Sequence, residues 1–442
     1  MTVDRHIIRT SHAVPPSVAR YGSDGRPSLN ILHYTPTYAP AWNTGGPAQS
    51  VSRLCEGLVR LGHRVEVLTS TAGLRPGDVE VERRTERGGV GVTYFRTEPG
   101  EGIVCRGMCR AVETLAAHFD VLHITGASEH SSRSAALAAL RGAVPYVVSP
   151  RGELGPYRWA RGGTSELTRF ALGEYWRLRG ATGLHYTSEL EKEECEWIRL
   201  PGRPFVVSNA VDDGFRPSPK EGAAWRDTHG LSKRGLRLMC VGRLHHKKGL
   251  DLLPEVLGPL ADLAWDLVFV GDDADGTRQL LQRAFSTRRL DRQVVFLGGV
   301  PAQDLARVYS AADLVLLPSR HENFANVLAE ALACGTPVAT TPQVGLARSL
   351  TTDGVGLVIE REVGPWRATL AGLISNSRPL GALRAGAAAF ASRFQGDVIA
   401  AQMAGEYRRC IANIPSPRVS SQALGNARGG ALADAGLEAK YG

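Results

Sequence analysis

The chain has 442 residues, enough for two or three domains at ~100–200 residues each. Hydrophobic residues make up 43% and charged residues 22%, a globular composition that excludes a wholly disordered or collagen-like chain. No apolar run approaches the ~20 residues that a membrane-spanning helix needs.

Lys and Arg number 52 against 44 Asp and Glu, a net charge of +8. The excess is spread over both halves, so there is no basic tail. Lysine occurs only at 192, 220, 233, 247, 248 and 440, and the remaining positive charge is arginine. With Gly at 50 positions, a high-GC codon bias is one reading of that arginine content. The other is an anionic partner: a nucleotide, a phospholipid surface or a nucleic acid. The seven cysteines form no Cys-x-x-Cys pair, which argues against a disulfide framework or a zinc site and fits a reducing compartment. Residues 1–28 are polar, lack a signal-peptide core and are expected to be disordered, as is the Ser-, Gly-, Ala- and Pro-containing tail 413–442. A cytoplasmic protein is the expectation.

In chain order, Leu29–Tyr34 reads as a strand, Gly46–Leu61 as a helix with apolar Val51, Leu54, Leu58 and Leu61, and Arg64–Thr69 as a strand. Strands Val121–Thr125 and Tyr146–Ser149 enclose a helical pattern at Ala135–Leu140. Ser208–Lys220 is turn-rich, holds two prolines and reads as a linker. The rhythm then restarts, with strands at Arg237–Val241, Trp265–Val270, Val294–Leu297, Leu314–Pro318 and Pro337–Thr340. Helical patterns at Gly249–Leu257, Thr277–Phe285, Asp304–Ala311 and Ala325–Ala333 separate them, and a last helix covers about Asp397–Cys410. Such alternation predicts an α/β protein of two doubly wound, Rossmann-like domains, 29–212 and 213–395, followed by a helix at 396–412. Doubly wound sheets bind ligands beyond the carboxyl ends of their strands, so two that face each other form a cleft.

Two motifs carry chemistry. In Ser319-Arg320-His321-Glu322-Asn323-Phe324-Ala325-Asn326-Val327, a buried strand ends at Pro318 and a helix starts near Phe324, stopping at Gly335 before Pro337. The amides of Phe324, Ala325, Asn326 and Val327 then form a helix N-terminus suited to phosphate. Glu322 precedes the helix and Glu330 lies about 9 Å along it at ~1.5 Å per residue, the reach of a nucleotide diphosphate sugar. The competing reading is a helix-start acid and a solvated face residue. The second motif, Gly242-Arg243-Leu244-His245-His246-Lys247-Lys248-Gly249, puts Arg243 and Lys248 in a loop after a strand, where two cations can clamp a diphosphate. Alone, it also fits a solvated basic loop.

Together, the Glu-x7-Glu spacing, the Gly-Arg-Leu…Lys-Gly loop and the linker Asn209-Ala210-Val211-Asp212 resemble glycosyltransferase family 4, of the GT-B fold, over residues from about 28 to 412. Asn43-Thr44-Gly45-Gly46-Pro47-Ala48 is similar to the family's glycine-rich loop, where Gly45 and Gly46 would let the backbone approach donor phosphates. The resemblance implies retaining transfer of a sugar from a nucleotide diphosphate donor to a glycan, lipid-linked or small-molecule acceptor in polysaccharide or glycoconjugate assembly. It also implies that the last helix crosses back to the first domain. Arg243 and Lys248 would stabilise the departing diphosphate, Glu322 would orient the sugar and Glu330 the ribose, with no cofactor and no metal required.

The chain departs from the family where many members read Glu-Gly-Phe-Gly and this one reads Glu322-Asn323-Phe324-Ala325. Many members also have a histidine after the strand Tyr146–Ser149; here Ser149-Pro150-Arg151-Gly152 resembles a polysaccharide-assembly subset. Arg151 is read as a ligand of a donor phosphate or acceptor hydroxyl, or as a surface arginine. His123 is read as facing the same cleft, or as a core histidine. Asp272-Asp273-Ala274-Asp275 looks like the metal motif of the GT-A fold but follows a strand of the second repeat, and reads as a turn or base-side loop without metal. Arg158, Arg161, Arg169, Arg177 and Arg179, interleaved with Trp159, Phe170 and Trp176, fit peripheral contact with an anionic membrane as well as a solvated helix face. Another GT-B enzyme, such as an epimerase or phosphorylase, and a non-catalytic nucleotide-sugar or nucleic-acid binder are the alternatives. Aromatics at 7%, without basic–aromatic interleaving of the stacking type, favour no nucleic acid.

Overall fold

A computed structural model describes residues 21–413 apart from 23–24, 99–104, 128–129, 157–158, 160–167, 169, 230 and 232–234. The ends read as disordered lie outside the described residues up to 20 and from 414. Ser28, within the first of them, is placed: its hydroxyl donates to the Gly62 carbonyl at 2.7 Å.

The first unit is an eight-stranded sheet. In chain order its described elements are β1 (Asn30–Tyr34), α1 (Gly46–Arg60), β2 (Arg64–Ser70), β3 (Arg84–Arg87), β4 (Val90–Phe95), α2 (Arg106–Leu115), β5 (Val121–Thr125), α3 (His130–Arg141), β6 (Tyr146–Ser149), α4 (Tyr175–Arg179), β7 (Gly183–Tyr186), α5 (Glu189–Cys195) and β8 (Arg203–Val206). The strand order is β3-β4-β2-β1-β5-β6-β7-β8, and only β3 and β4 pair antiparallel. Every residue of β4, β5 and β6 is buried, as expected of strands covered on both faces.

The second unit follows α6 (Pro219–Thr228). It comprises β9 (Leu236–Val241), α7 (Leu253–Leu257), β10 (Trp265–Val270), α8 (Thr277–Ser286), β11 (Val294–Gly298), α9 (Leu305–Ala311), β12 (Leu314–Leu317), α10 (Asn326–Ala333), β13 (Val338–Thr340), α11 (Ala347–Asp353), β14 (Gly356–Val358), α12 (Val363–Ser375) and α13 (Arg378–Ala391). Its six strands are all parallel, in the order β11-β10-β9-β12-β13-β14.

Strand order reverses between β1 and β5 in the first sheet and between β9 and β12 in the second. Ligands of doubly wound sheets bind at such switch points. The carboxyl ends of the two sheets face each other, so the two switch points share one cleft. The last helix, α14 (Gly396–Ala412), returns to the first unit. Arg60 Nε donates to Asp397 at 2.7 Å, and Tyr407 reaches His123 in β5 at 2.6 Å. The chain itself passes between the units at the linker, where Val211 N donates to Phe394 O at 2.7 Å, and again through α14.

Several elements differ from the sequence reading. Gly249–Leu257 is a left-handed glycine at φ 63°, a short 3-10 turn Leu250–Leu252 and a five-residue helix, preceded by another 3-10 turn at His246–Lys248. The helix expected to start near Phe324 starts at Asn326, because Ala325 is left-handed at φ 75° and caps it. The charged edge strand β3 has no apolar alternation to reveal it.

Candidate functional site

The β9 loop and the β12 loop meet at the second sheet's switch point. Lys248 Nζ lies 2.8 Å from Glu322 Oε1, with both side chains about one-fifth exposed. Burial pushes the Glu322 carboxyl up, but the Lys248 ammonium, helped by Lys247 and His321, brings it below its ordinary value. The backbone of Glu322 is pinned in turn: its N–H donates to Gln343 O at 3.0 Å and its carbonyl accepts from Gly345 N at 2.8 Å. This carboxylate and this cation therefore hold fixed positions at the mouth of the cleft.

Across the cleft stands the N-terminus of α1, with Gly45 as its cap at φ 111° and Pro47 in its first turn. A Cβ on Gly45 would lie 2.9 Å from Arg243 Nη2, so the backbone and the guanidinium approach as closely as only glycine allows. Gly46 faces the Asn326 side chain in the same way. At the start of α10, the first amide engaged in the turn is that of Leu328, which donates to Ala325 O at 3.0 Å. Phe324 turns its ring into the core against Phe394, at 5.4 Å between centroids, so only its backbone faces the site. Arg243, Lys248, Glu322, Gly45, Gly46 and the 323–327 turn are thus brought together.

Arg151 belongs to this group and is no surface arginine. It takes a left-handed conformation at φ 55°, and its Nη1 donates to Asn209 Oδ1 at 2.5 Å. Asn209 Nδ2 donates to Asn326 Oδ1 at 2.9 Å, completing a bridge from β6 through the linker to α10. The Arg151 Nε is buried without a hydrogen-bond partner. Burial lowers its guanidinium pKa and the Glu191 charge opposes that shift. A side chain at Gly152 would collide with Asn323, which is why the β6 loop can press against the β12 loop.

Glu330 is not on a solvated face. It is 3% exposed; its Oε1 accepts from Arg53 Nη1 at 3.0 Å and its Oε2 from the Tyr309 hydroxyl at 2.9 Å. Burial, then the Glu330 charge, pushes the Tyr309 phenol well above its ordinary value, so it stays a donor.

The family described as "Glycosyl transferases group 1" matches residues 235–376, and that described as "Glycosyl transferase 4-like domain" matches residues 45–210. The chain is 31% identical over 380 residues, 79% of this chain and 84% of that protein, to a D-inositol 3-phosphate glycosyltransferase of Mycobacterium sp. (strain KMS). It is 29% identical over 426 residues to D-inositol 3-phosphate glycosyltransferase 2 of Catenulispora acidiphila, covering 89% of this chain and 97% of that one. The chain belongs to the GT-B glycosyltransferases. Solved members share the fold: sucrose-phosphate synthase from Thermosynechococcus elongatus superposes with a TM-score of 0.71 at 20% identity, covering 87% of this chain and 99% of that one. HepE of Anabaena in complex with UDP-glucose gives 0.69 at 21%, covering 86% and 100%.

Within this glycosyltransferase one sequence reading is overturned. His123 does not face the cleft. It is fully buried in mid-strand, with Nδ1 to the Tyr407 hydroxyl at 2.6 Å and Nε2 to Ser149 Oγ at 3.0 Å, and its ring stacks on His33 at 4.4 Å. Ser149 also bonds His185, whose Nε2 meets Val207 O at 2.8 Å. Burial holds all three histidines neutral, with His33 and His185 lowered to about 3. They form the floor beneath Arg151.

The acidic run after β10 is a structural turn. Asp272 accepts from Gly299 N at 2.9 Å, and Asp275 accepts from His246 N at 3.0 Å and from Thr277. His245, His246 and Asp275 bring their ligand-capable atoms within 4.8 Å of one another. Residues that sequence reading passed over include Arg53, Tyr309, Asn209 and Glu191. Glu191 takes Gly152 N and Thr187 N at 2.7 Å and Asn323 Nδ2 at 3.3 Å. A further pair crosses the cleft, His321 Nε2 with Glu194 at 2.9 Å. Asn209 alone had a signal, since it sits in the recognised linker motif.

Proposed function

We propose that this enzyme transfers a sugar, with retention, from a nucleoside diphosphate donor to a hydroxyl acceptor held against the first unit. The observation that carries the reading is the Lys248–Glu322 pair beside Arg243, set at a switch point opposite the glycine-capped start of α1. The diphosphate would lie between Arg243, Lys248 and the amides of residues 325–327. Glu322 would accept sugar hydroxyls, and Glu330 the ribose. The bond from the anomeric carbon to phosphate breaks, leaving its electron pair on the diphosphate. The acceptor oxygen bonds the same face of that carbon and gives its proton to the departing phosphate oxygen. Two fixed cations neutralise the charge as it develops, so the proposal includes transfer without a metal. HepE, solved with UDP and with UDP-glucose, supports a nucleotide sugar as donor.

Two acceptor classes have support. The relatives' names favour a small phosphorylated polyol. A lipid-linked glycan is favoured by an aromatic ridge on the first unit. Trp197, Trp159, Phe170, Tyr175 and Trp176 follow one another at 5.2–6.3 Å between ring centroids. Trp176 is 60% exposed, Trp197 52% and nearby Leu140 51%, and Arg179 lies over the Trp176 ring. Arg158, Arg161 and Arg169 of the basic run lie outside the described residues. No helix among the described residues is long and apolar enough to cross a membrane, and we read the protein as cytoplasmic with peripheral contact through this ridge.

Screening nucleotide sugars by thermal shift, then by release of the nucleoside diphosphate with inositol 3-phosphate or lipid-linked acceptors, tests the reading. Release that persists in EDTA is expected. Failure of every nucleotide sugar, with tight nucleic-acid binding at physiological salt, would reject it.

A further inference from the structure

We propose that Arg53 is a positioning residue that holds the Glu330 carboxylate for the nucleoside and ties that contact to closure of the cleft. This rests on the proposed ribose contact of Glu330. Arg53 projects from α1 of the first unit, whereas Glu330 lies in α10 of the second. Their ion pair at 3.0 Å is almost wholly out of water, with side chains 15% and 4% exposed. The same guanidinium nitrogen reaches Ala210 O in the linker at 3.4 Å, and its carbon lies 5.5 Å from the centre of the Phe215 ring. One side chain therefore touches both units and the segment joining them.

A buried carboxylate without a cation is costly, and the neutral Tyr309 hydroxyl supplies no charge. Arg53 is thus the cation that Glu330 pairs with in this setting. A carboxylate offers about four lone-pair directions. Arg53 and Tyr309 use two of them, one on each oxygen, which leaves two for a pair of vicinal hydroxyls such as those of a ribose. Because the cation arrives from the opposite unit, this arrangement exists only when the units meet. Arg243 cannot substitute, being packed against Gly45. Nucleoside recognition and closure are then one event, whereas Lys248 of the diphosphate clamp is held within the second unit, by Glu322.

The test uses the full chain and two probes: the tightest-binding of UDP, ADP and GDP, and inorganic pyrophosphate, each titrated calorimetrically. Arg53→Gln is expected to weaken the nucleoside diphosphate by tenfold or more while pyrophosphate changes less than twofold. Arg53→Lys should recover part of the loss, since the charge returns without the fork. Small-angle scattering should give unliganded Arg53→Gln a larger radius of gyration than wild type. If Glu330→Gln weakens the nucleotide but Arg53→Gln does not, the role of Arg53 is overturned and the ribose contact stands. If Glu330→Gln binds the nucleotide like wild type, the ribose contact fails and this inference with it. Equal loss of both probes in Arg53→Gln means a general structural role and also overturns it. Should thermal melting show Arg53→Gln unfolded, Arg53→Lys carries the same comparison.

Discussion

The two α/β units reach the cleft with the same architecture and opposite chemistry. The second presents charge: Arg243 and Lys248 after β9, and Glu322 after β12. Beneath the first unit's edge lie three neutral histidines, tied by Ser149 and Tyr407 into the fold, with one arginine above them. A doubly wound sheet thus supplies the place for a site, while the side chains at its switch point decide whether that place carries charge or support. Family resemblance suggested function for residues of both units, but His123 is tied into the interior by Tyr407 and Ser149, whereas Lys248 and Glu322 keep about one-fifth of their side-chain surface at the cleft.

Breaking the charged side should have the largest effect. Lys248→Ala is expected to lower kcat about 100–1,000-fold, the size seen when one donor at a developing charge is removed. Circular dichroism and melting should be nearly unchanged, and full activity would remove the clamp. Next is the bridge between the units. Asn209→Ala takes the partner from Arg151 and from Asn326, and should cut kcat/KM roughly tenfold, about 1.4 kcal/mol. An unchanged kcat/KM would show the bridge to be incidental.

The histidine floor predicts a stability effect with a definite sign. His33 and His185 have folded values near 3 against 6.5, so below pH 6.5 the unfolded chain binds more protons. Stability is then fully present above 6.5 and falls as pH drops toward 3, by about 1.4 kcal/mol per pH unit for each histidine. Denaturant unfolding at several pH values should give a shallower slope for His33→Gln than for wild type. Equal slopes would mean that the floor is hydrated or charged. The smallest effect concerns Ala325, a non-glycine residue in the left-handed conformation. Ala325→Gly should stabilise by about 1 kcal/mol and leave kcat unaltered, since only backbone strain is relieved. A lower melting temperature would show that the methyl group's packing outweighs the strain.

Much of the second unit was legible because its signals are local. A strand running into Gly242-Arg243, and a carboxylate three residues ahead of a helix cap, lie within short windows of chain. The first unit was less legible. The edge strand β3 is charged, β7 and β8 are only four residues long, and His123 looks the same in sequence whether it faces a cleft or a core.

The sequence by itself determined two tandem α/β units, because periodicity and capping are written within ~10–20 neighbouring residues, and the motifs around Arg243, Lys248 and Glu322 carried the resemblance to a GT-B family. Tertiary structure alone decided that Arg53 pairs with Glu330, that Asn209 links Arg151 to Asn326, and that His123 belongs to the interior. Those partners are 277, 58, 117 and 284 residues apart in the chain. Their meeting is set by where two sheets and a returning helix come to rest, and no local pattern of side chains encodes that distance.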